Sequence, residues 1–157
     1  MKNYLILLLA AIVTACTLVV RVPIPGTAGY LNFGDIAVIF CGLFLGRTKG
    51  AIAAGVGSAA ADIIGGFYIF APVTLIAKGL EGFLAGSLGQ KNPWLLIPAG
   101  LSMVTIYFLA ELFMPGMGLT AAVSELPFNL IQAGAGIIGG YAVFTGIKKA
   151  LPGKKTK

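Results

Sequence analysis

Residues 93–113 read PWLLIPAGLSMVTIYFLAELF, twenty-one positions with a single charge, Glu111, close to the far end. A helix on the surface of a soluble domain needs one polar face, and this run offers polar groups on no continuous side for most of a bilayer-spanning length. Its solvent is lipid. Five further apolar segments, separated at polar or Pro/Gly breaks, flank it: roughly 4–20, 33–46, 50–66, 72–89 and 119–147. The fold expected is an all-α integral membrane protein, a six-helix transmembrane bundle forming one domain over 1–157 with a basic tail at 148–157. The segment at 33–46 is short: about 14 residues at ~1.5 Å each reach roughly 21 Å of a ~30 Å hydrocarbon core, so it leans on its neighbours. Pro127 removes a backbone donor within the last segment and should kink that helix or mark where its regular part begins.

Composition excludes much. Of 157 residues 58% are hydrophobic and 10% charged, too few charges to coat a soluble surface. The net charge of +6 is spread over short hydrophilic breaks and does not gather into a nucleic-acid-binding face. Cys16 and Cys41 lie inside apolar runs without CxxC spacing, which suggests buried thiols. Histidine is absent, removing Ser-His and Cys-His nucleophile systems and the commonest transition-metal ligand; no metal site, catalytic residue or cofactor is expected. Met1-Lys2 before an apolar run resembles a signal peptide and Val13-Thr14-Ala15-Cys16 loosely fits a lipoprotein cleavage box. A chain whose remainder is membrane-embedded has no need of a cleaved export signal, so 4–20 reads as the first span.

Lysine and arginine placement sets the orientation. With the N-terminus inside, Lys2, Arg47, Lys49, Lys91, Lys148, Lys149, Lys154, Lys155 and Lys157 all fall on the inner side, and only Arg21 in an outer loop. The positive-inside rule thus places both termini inside. The outer connection RVPIPGTAGYLN, residues 21–32, has two prolines and two glycines, unsuited to a helix but suited to a folded loop; a lid and a plain connector both remain open.

On this topology all five acids fall in the outer half. Asp35 and Asp62 lie near the interface, where caps or solvated ends would explain them, and Asp62 is read as structural. Glu81, nine residues beyond Pro72, is deepest, and shares a helix face with Lys78 at i, i+3, so the two can pair. Tyr107 and Glu111 are spaced i, i+4; Glu125, Asn129 and Gln132 form a stripe running inward from the outer end. An ionisable group in hydrocarbon costs about 2.5–3.5 kcal/mol even on the forgiving insertion scale. Three consecutive helices with polar stripes at similar depth therefore imply a cavity open outward, with interhelical glue as the plainer reading of any one residue. Gly134-Ala135-Gly136-Ile137-Ile138-Gly139 is formally GxGxxG, but no strand precedes it, so its glycines are packing residues. Helix 1 carries Ala11 and Ala15 at i, i+4, a small-residue face that permits close approach of another helix.

The order AxxxA helix, Pro/Gly-rich first outer loop, YLNFGD (30–35), GAIAAGVGSAAADIIGG (50–66), PVTLIAKGLEG (72–82) and ELPFNLIQ (125–132) resembles the substrate-binding S component of energy-coupling factor (ECF) vitamin transporters over essentially the whole chain. The resemblance implies a multi-pass prokaryotic cell-membrane protein that captures a small vitamin on its outer face. It also implies partners: a transmembrane coupling subunit, met through Ala11 and Ala15, and two cytoplasmic ATPases. The ligand groups it implies are Tyr30, Asn32, Lys78, Glu81, Tyr107, Glu111, Glu125, Asn129 and Gln132. ATP must be used by the partners, because the chain has no GxxxxGK[ST] loop. An acid-rich cavity with one lysine favours a small neutral or weakly basic ring bearing hydroxyl or amino donors; within the family that suggests hydroxymethylpyrimidine or a pyridoxine-like vitamin, with riboflavin behind them. The only tryptophan, Trp94, belongs to the inner interface as an anchor. A stand-alone proton-coupled carrier, cycling a proton on Glu81 or Glu125, is the competing class; no inverted repeat speaks for it.

Overall fold

The computed structural model describes residues 4–90 and 92–150; Lys2, Lys91, Lys154, Lys155 and Lys157, used above for orientation, lie outside the described residues. Among the described residues the chain forms six α-helices: α1 (Tyr4–Val19), α2 (Gly34–Leu45), α3 (Arg47–Gly65), α4 (Ala71–Leu84), α5 (Ile97–Phe113) and α6 (Leu119–Ala150). A π-helical turn, Ala85–Gly89, continues α4, and a 3-10 turn, Pro93–Leu96, leads into α5. Two helical stretches, Pro93–Phe113 and Leu119–Ala150, are long and apolar enough to cross a membrane. Only 33% and 22% of their apolar windows are buried within the fold, whereas the core helix of a soluble protein would be mostly covered. Large apolar side chains elsewhere, such as Leu7, Ile64, Ile76 and Phe113, also face outward.

Two boundaries depart from the sequence reading. The third helix starts at Arg47, directly after Gly46 (φ 79°) breaks α2, because a positive φ costs glycine nothing. The last helix runs through Pro127 and on to Ala150, so Pro127 does not mark its beginning. The connection between α1 and α2 carries regular structure. It is neither a plain turn nor an irregular loop but a short antiparallel hairpin, β1 (Arg21–Pro23) on β2 (Tyr30–Asn32), with Arg21 opposite Asn32 and Pro23 opposite Tyr30. Three-residue strands give too few positions for alternation to be read, and Pro23 is tolerated because it sits on an edge. Ile24 N–H donates to the Gly29 carbonyl at 3.2 Å and Gly26 turns the chain at φ 77°.

Small residues let the helices close on one another. Thr14 Oγ1 of α1 donates to the Gly57 carbonyl of α3 at 2.8 Å, and Gly57 has room for no side chain beside the Ala10 carbonyl. Contacts of Gly55 with Leu75 and of Gly82 with Gly50 run α3 and α4 antiparallel. Gly136, Gly139 and Gly140 of α6 sit against Asp35, Ile36 and Ile39 of α2, so of the formal GxGxxG Gly136 and Gly139 are packing residues, while Gly134 faces open space and the expectation fails there. A Cβ on Gly42 would lie 2.5 Å from the Gly82 carbonyl oxygen and 2.8 Å from Ala85 Cβ. Gly42→Leu is therefore expected to destabilise the purified protein by roughly 1–3 kcal/mol, read as a lower melting temperature in detergent; an unchanged melt would show that α2 and α4 do not close this tightly.

Candidate functional site

The short connections alternate the helices, so one end of the bundle gathers the hairpin, the starts of α2, α4 and α6 and the last turns of α1, α3 and α5. Trp94 (75% exposed), Arg47, Lys148 and Lys149 belong to the other end. At the hairpin end the structure holds a cleft of about 450 Å³ counting its open mouth. Seven residues singled out from sequence reach its wall: Tyr30 and Asn32 from the hairpin, Lys78 from α4, Tyr107 from α5, and Glu125, Asn129 and Gln132 from α6. Periodicity brings the last three together, since positions four and three apart share a helix face.

Glu81 and Glu111 are fully buried but stand off the wall. Glu81 takes Lys78 Nζ at 3.4 Å on Oε2. Glu111 lies against the Glu125 carboxyl, and no other side chain among the described residues bonds its oxygens. The expectation for Asp35 and Asp62 is corrected: neither is a solvated cap, being 1% and 2% exposed. Asp35 forms a close ion pair with Lys78; Asp62 lines the cleft and accepts the Tyr30 hydroxyl at 2.6 Å. Depth along a helix puts both near the interface, but the hairpin folds over them and removes the solvent. Thr17, Ser58, Phe70 and Thr74 also line the cleft, and nothing in their spacing sets them apart from packing residues.

The wall is one connected polar system. Asn32 N–H and Nδ2 donate to Gln132 Oε1 at 3.0 and 3.2 Å, Gln132 Nε2 donates to Asp35 Oδ2 at 3.2 Å, and Asp35 and Glu81 both hold Lys78. The hairpin is thereby tied to α6 through two neutral amide bonds, and α6 in turn to α2 and α4 through buried, charge-assisted ones, which are stronger. On the far side Tyr107 donates to Thr74 Oγ1 at 2.8 Å, with Lys78 Nζ 5.5 Å from its ring centre. Arg21 lies 5.6 Å from the Tyr30 ring centre and 5.8 Å from that of Phe67, and the two rings pack at 4.5 Å. This cation-π contact fastens β1 and β2 to the α3–α4 connection. Burial first, and then the bond to Asp62, hold the Tyr30 phenol above its ordinary pKa range, so it stays a donor at any physiological pH.

Gly29 N–H donates to Glu125 Oε1 at 3.1 Å, and a Cβ on Gly29 would fall on that carboxyl group. Gly29→Ala should therefore push Glu125 off the hairpin and weaken ligand binding by about tenfold, the worth of one charge-assisted bond. Titration calorimetry of the variant measures this, and unchanged affinity would remove Glu125 from the wall as drawn. Ala11 and Ala15 take no part in the cleft. The inward ridge of α1 is Leu9, Val13 and Thr17, and both alanines are exposed on its other side.

Comparison with known proteins matches residues 2–149 to the model of the ECF-type riboflavin transporter, S component. The chain is 39% identical over 145 residues to an uncharacterised protein of Pyrococcus woesei, covering 88% of this chain and 96% of that one. It is 34% identical over 143 residues to the thiamine precursor transporter HmpT of Lactococcus lactis, covering 87% and 84%.

Proposed function

Because the chain belongs to the family of ECF-type riboflavin transporter S components, a family of membrane transporters of vitamins and their precursors, we propose that it is the subunit that captures such a molecule on the outer face of the cell membrane. It spans the membrane six times with both termini inside, and works with a membrane coupling subunit and two cytoplasmic ATPases. Ligand sits in the cleft beneath the hairpin, contacted by Tyr30, Asn32, Lys78, Tyr107, Glu125, Asn129 and Gln132, with Glu81 and Glu111 supporting them from behind. The observation that carries this reading is the convergence on one small cleft of polar side chains from the hairpin and five helices. Such a cluster in an apolar bundle is costly without a functional use. The arrangement has no assigned chemical step: it binds and releases.

For the substrate, a thiamine precursor of the hydroxymethylpyrimidine kind is the best fit. One relative is named for transporting a thiamine precursor, and the cleft's small volume and acid-rich wall suit a single heteroaromatic ring with amino and hydroxyl donors. A pyridoxine-like ring is next. Riboflavin, with its tricyclic ring and ribityl chain, asks for more room and broader apolar walls than Tyr30, Phe70 and Tyr107 provide.

The test is a thermal-shift screen of water-soluble vitamins on the purified chain, followed by uptake assays with and without co-expressed coupling and ATPase subunits. Submicromolar binding by the chain alone, with uptake only in the presence of the module, is the expected result. Uptake by the chain alone that collapses under a protonophore would replace this reading with the stand-alone carrier.

A further inference from the structure

The whole chain has five acidic residues, and all five are buried: Asp35, Asp62, Glu81, Glu111 and Glu125. Lys78 forms ion pairs with two of them, Asp35 and Glu81. Among the described residues the buried side-chain polar atoms left without a hydrogen-bond partner are Asp62 Oδ2, Glu81 Oε1 and both oxygens of Glu111. Every one is a carboxyl oxygen; Asn129, buried on the cleft wall, is another side chain there without a hydrogen bond among the described residues. Native interiors pair nearly all buried polar atoms, so unpartnered carboxyl oxygens at a cleft indicate the chemistry of what completes them.

Two of the acids, Asp62 and Glu125, line the cleft itself. Asp62 has Oδ1 occupied by the Tyr30 hydroxyl and Oδ2 unpartnered at 2% exposure. Glu125 has Oε1 occupied by Gly29 N–H, and against it lies the carboxyl of Glu111, which has no other partner among the described residues. Two carboxyl groups side by side in an apolar bundle cannot both carry charge unless a proton or a cationic donor lies between or against them. The hairpin thus consumes one oxygen of each wall carboxylate, and the second oxygen of Asp62 has no partner among the described residues.

We propose that the ligand is recognised as an amine whose exocyclic N–H groups bind Asp62 and Glu125, with Glu111 as a positioning residue behind Glu125. This deepens the vitamin-capture reading, on which it rests, by assigning the substrate class its charge and polarity. It also gives Asp62, otherwise explained by its bond to Tyr30, a role in specificity. A site built to accept N–H groups discriminates sharply against an analogue that lacks them, because its own buried acceptors are then stranded.

The experiment uses the full chain in detergent and matched probe pairs: 4-amino-5-hydroxymethyl-2-methylpyrimidine against its 4-oxo counterpart, and pyridoxamine against pyridoxine, each by titration calorimetry. Expected is at least tenfold tighter binding of the amino member of whichever pair binds. Asp62→Asn and Glu125→Gln should remove most of that preference, and the melting temperature of each variant certifies that it is folded. Glu111→Gln should weaken the amino probe alone; equal weakening of both probes would reduce Glu111 to packing and overturn its part. Equal affinity for both members in the unaltered chain, or an unchanged preference in both wall variants, overturns the proposal. If neither pair binds and riboflavin does, donor recognition at the carboxylates falls while vitamin capture stands. Protonophore-sensitive uptake by the chain alone instead removes the module and leaves the carboxylate assignment intact.

Discussion

Lys78→Met is expected to abolish ligand binding and to lower the melting temperature of the purified protein by about 10 °C, the largest loss from any single substitution in the cleft. Lys78 is 3% exposed and is the shared partner of Asp35 and Glu81. Removing one member of a buried ion pair strands the remaining charge and costs ~3–5 kcal/mol, and each kcal/mol corresponds to roughly 2–4 °C at about this chain length. Methionine keeps the apolar stem, so the loss reports charge and not volume. Neutralising the stranded acids in the same protein, as Lys78→Met with Asp35→Asn and Glu81→Gln, should return most of the stability, because the amide oxygen that replaces the Asp35 carboxylate still accepts from Gln132. Binding should not return, since the wall has lost its only lysine. Differential scanning fluorimetry and calorimetry on both variants separate the two effects. A single variant that melts like the unaltered protein would show that the cluster is wet and that the hairpin does not seal it.

What could be read in advance follows from how lipid constrains a chain. A helix in hydrocarbon must satisfy every backbone group internally and show apolar side chains over a bilayer's length, so segments such as 93–113 announce themselves. Contacts within one helix are equally open to reading, and Lys78 with Glu81, or Glu125 with Asn129 and Gln132, follow from spacing alone. Contacts between helices do not. Asp35 finds Lys78 across 43 positions, Tyr30 finds Asp62 across 32, and Asn32 finds Gln132 across 100. Each depends on how helices rotate about their axes, which here is decided by glycines such as Gly136 and Gly140 admitting α2. Sequence depth misplaces Asp35 and Asp62 for that reason: distance from a helix end measures depth only when nothing lies above it, and here the hairpin does. The hairpin itself is hidden from sequence because strands of three residues carry almost no pattern.

Ala11→Leu is expected to leave vitamin binding and melting temperature unchanged and yet to abolish uptake. Ala11 and Ala15 are exposed, on the side of α1 away from the buried ridge of Leu9, Val13 and Thr17. A leucine at 11 therefore meets nothing within the subunit, and substitutions at such sites are usually neutral to within about 0.5 kcal/mol. Its three extra carbons matter only if another helix approaches. In lipid there is no hydrophobic drive to hold helices together, so association depends on backbones packing closely over small residues, and a leucine at the crossing prevents that. Co-purification of the coupling subunit and ATPases with the variant should fall to background while its calorimetric affinity for vitamin stays that of the unaltered chain. Ile12→Leu, at an adjacent position that is already bulky and exposed, is the control and should transport normally. Against the expectation of two buried thiols, Cys16 is exposed, one residue beyond Ala15, and only Cys41 is buried; Cys16 supplies a direct readout, since maleimide should label it in the free subunit and more slowly in the assembled complex. Ala11→Leu that still assembles and transports would move the partner's contact to another face of the bundle, and unchanged Cys16 labelling on assembly would do the same.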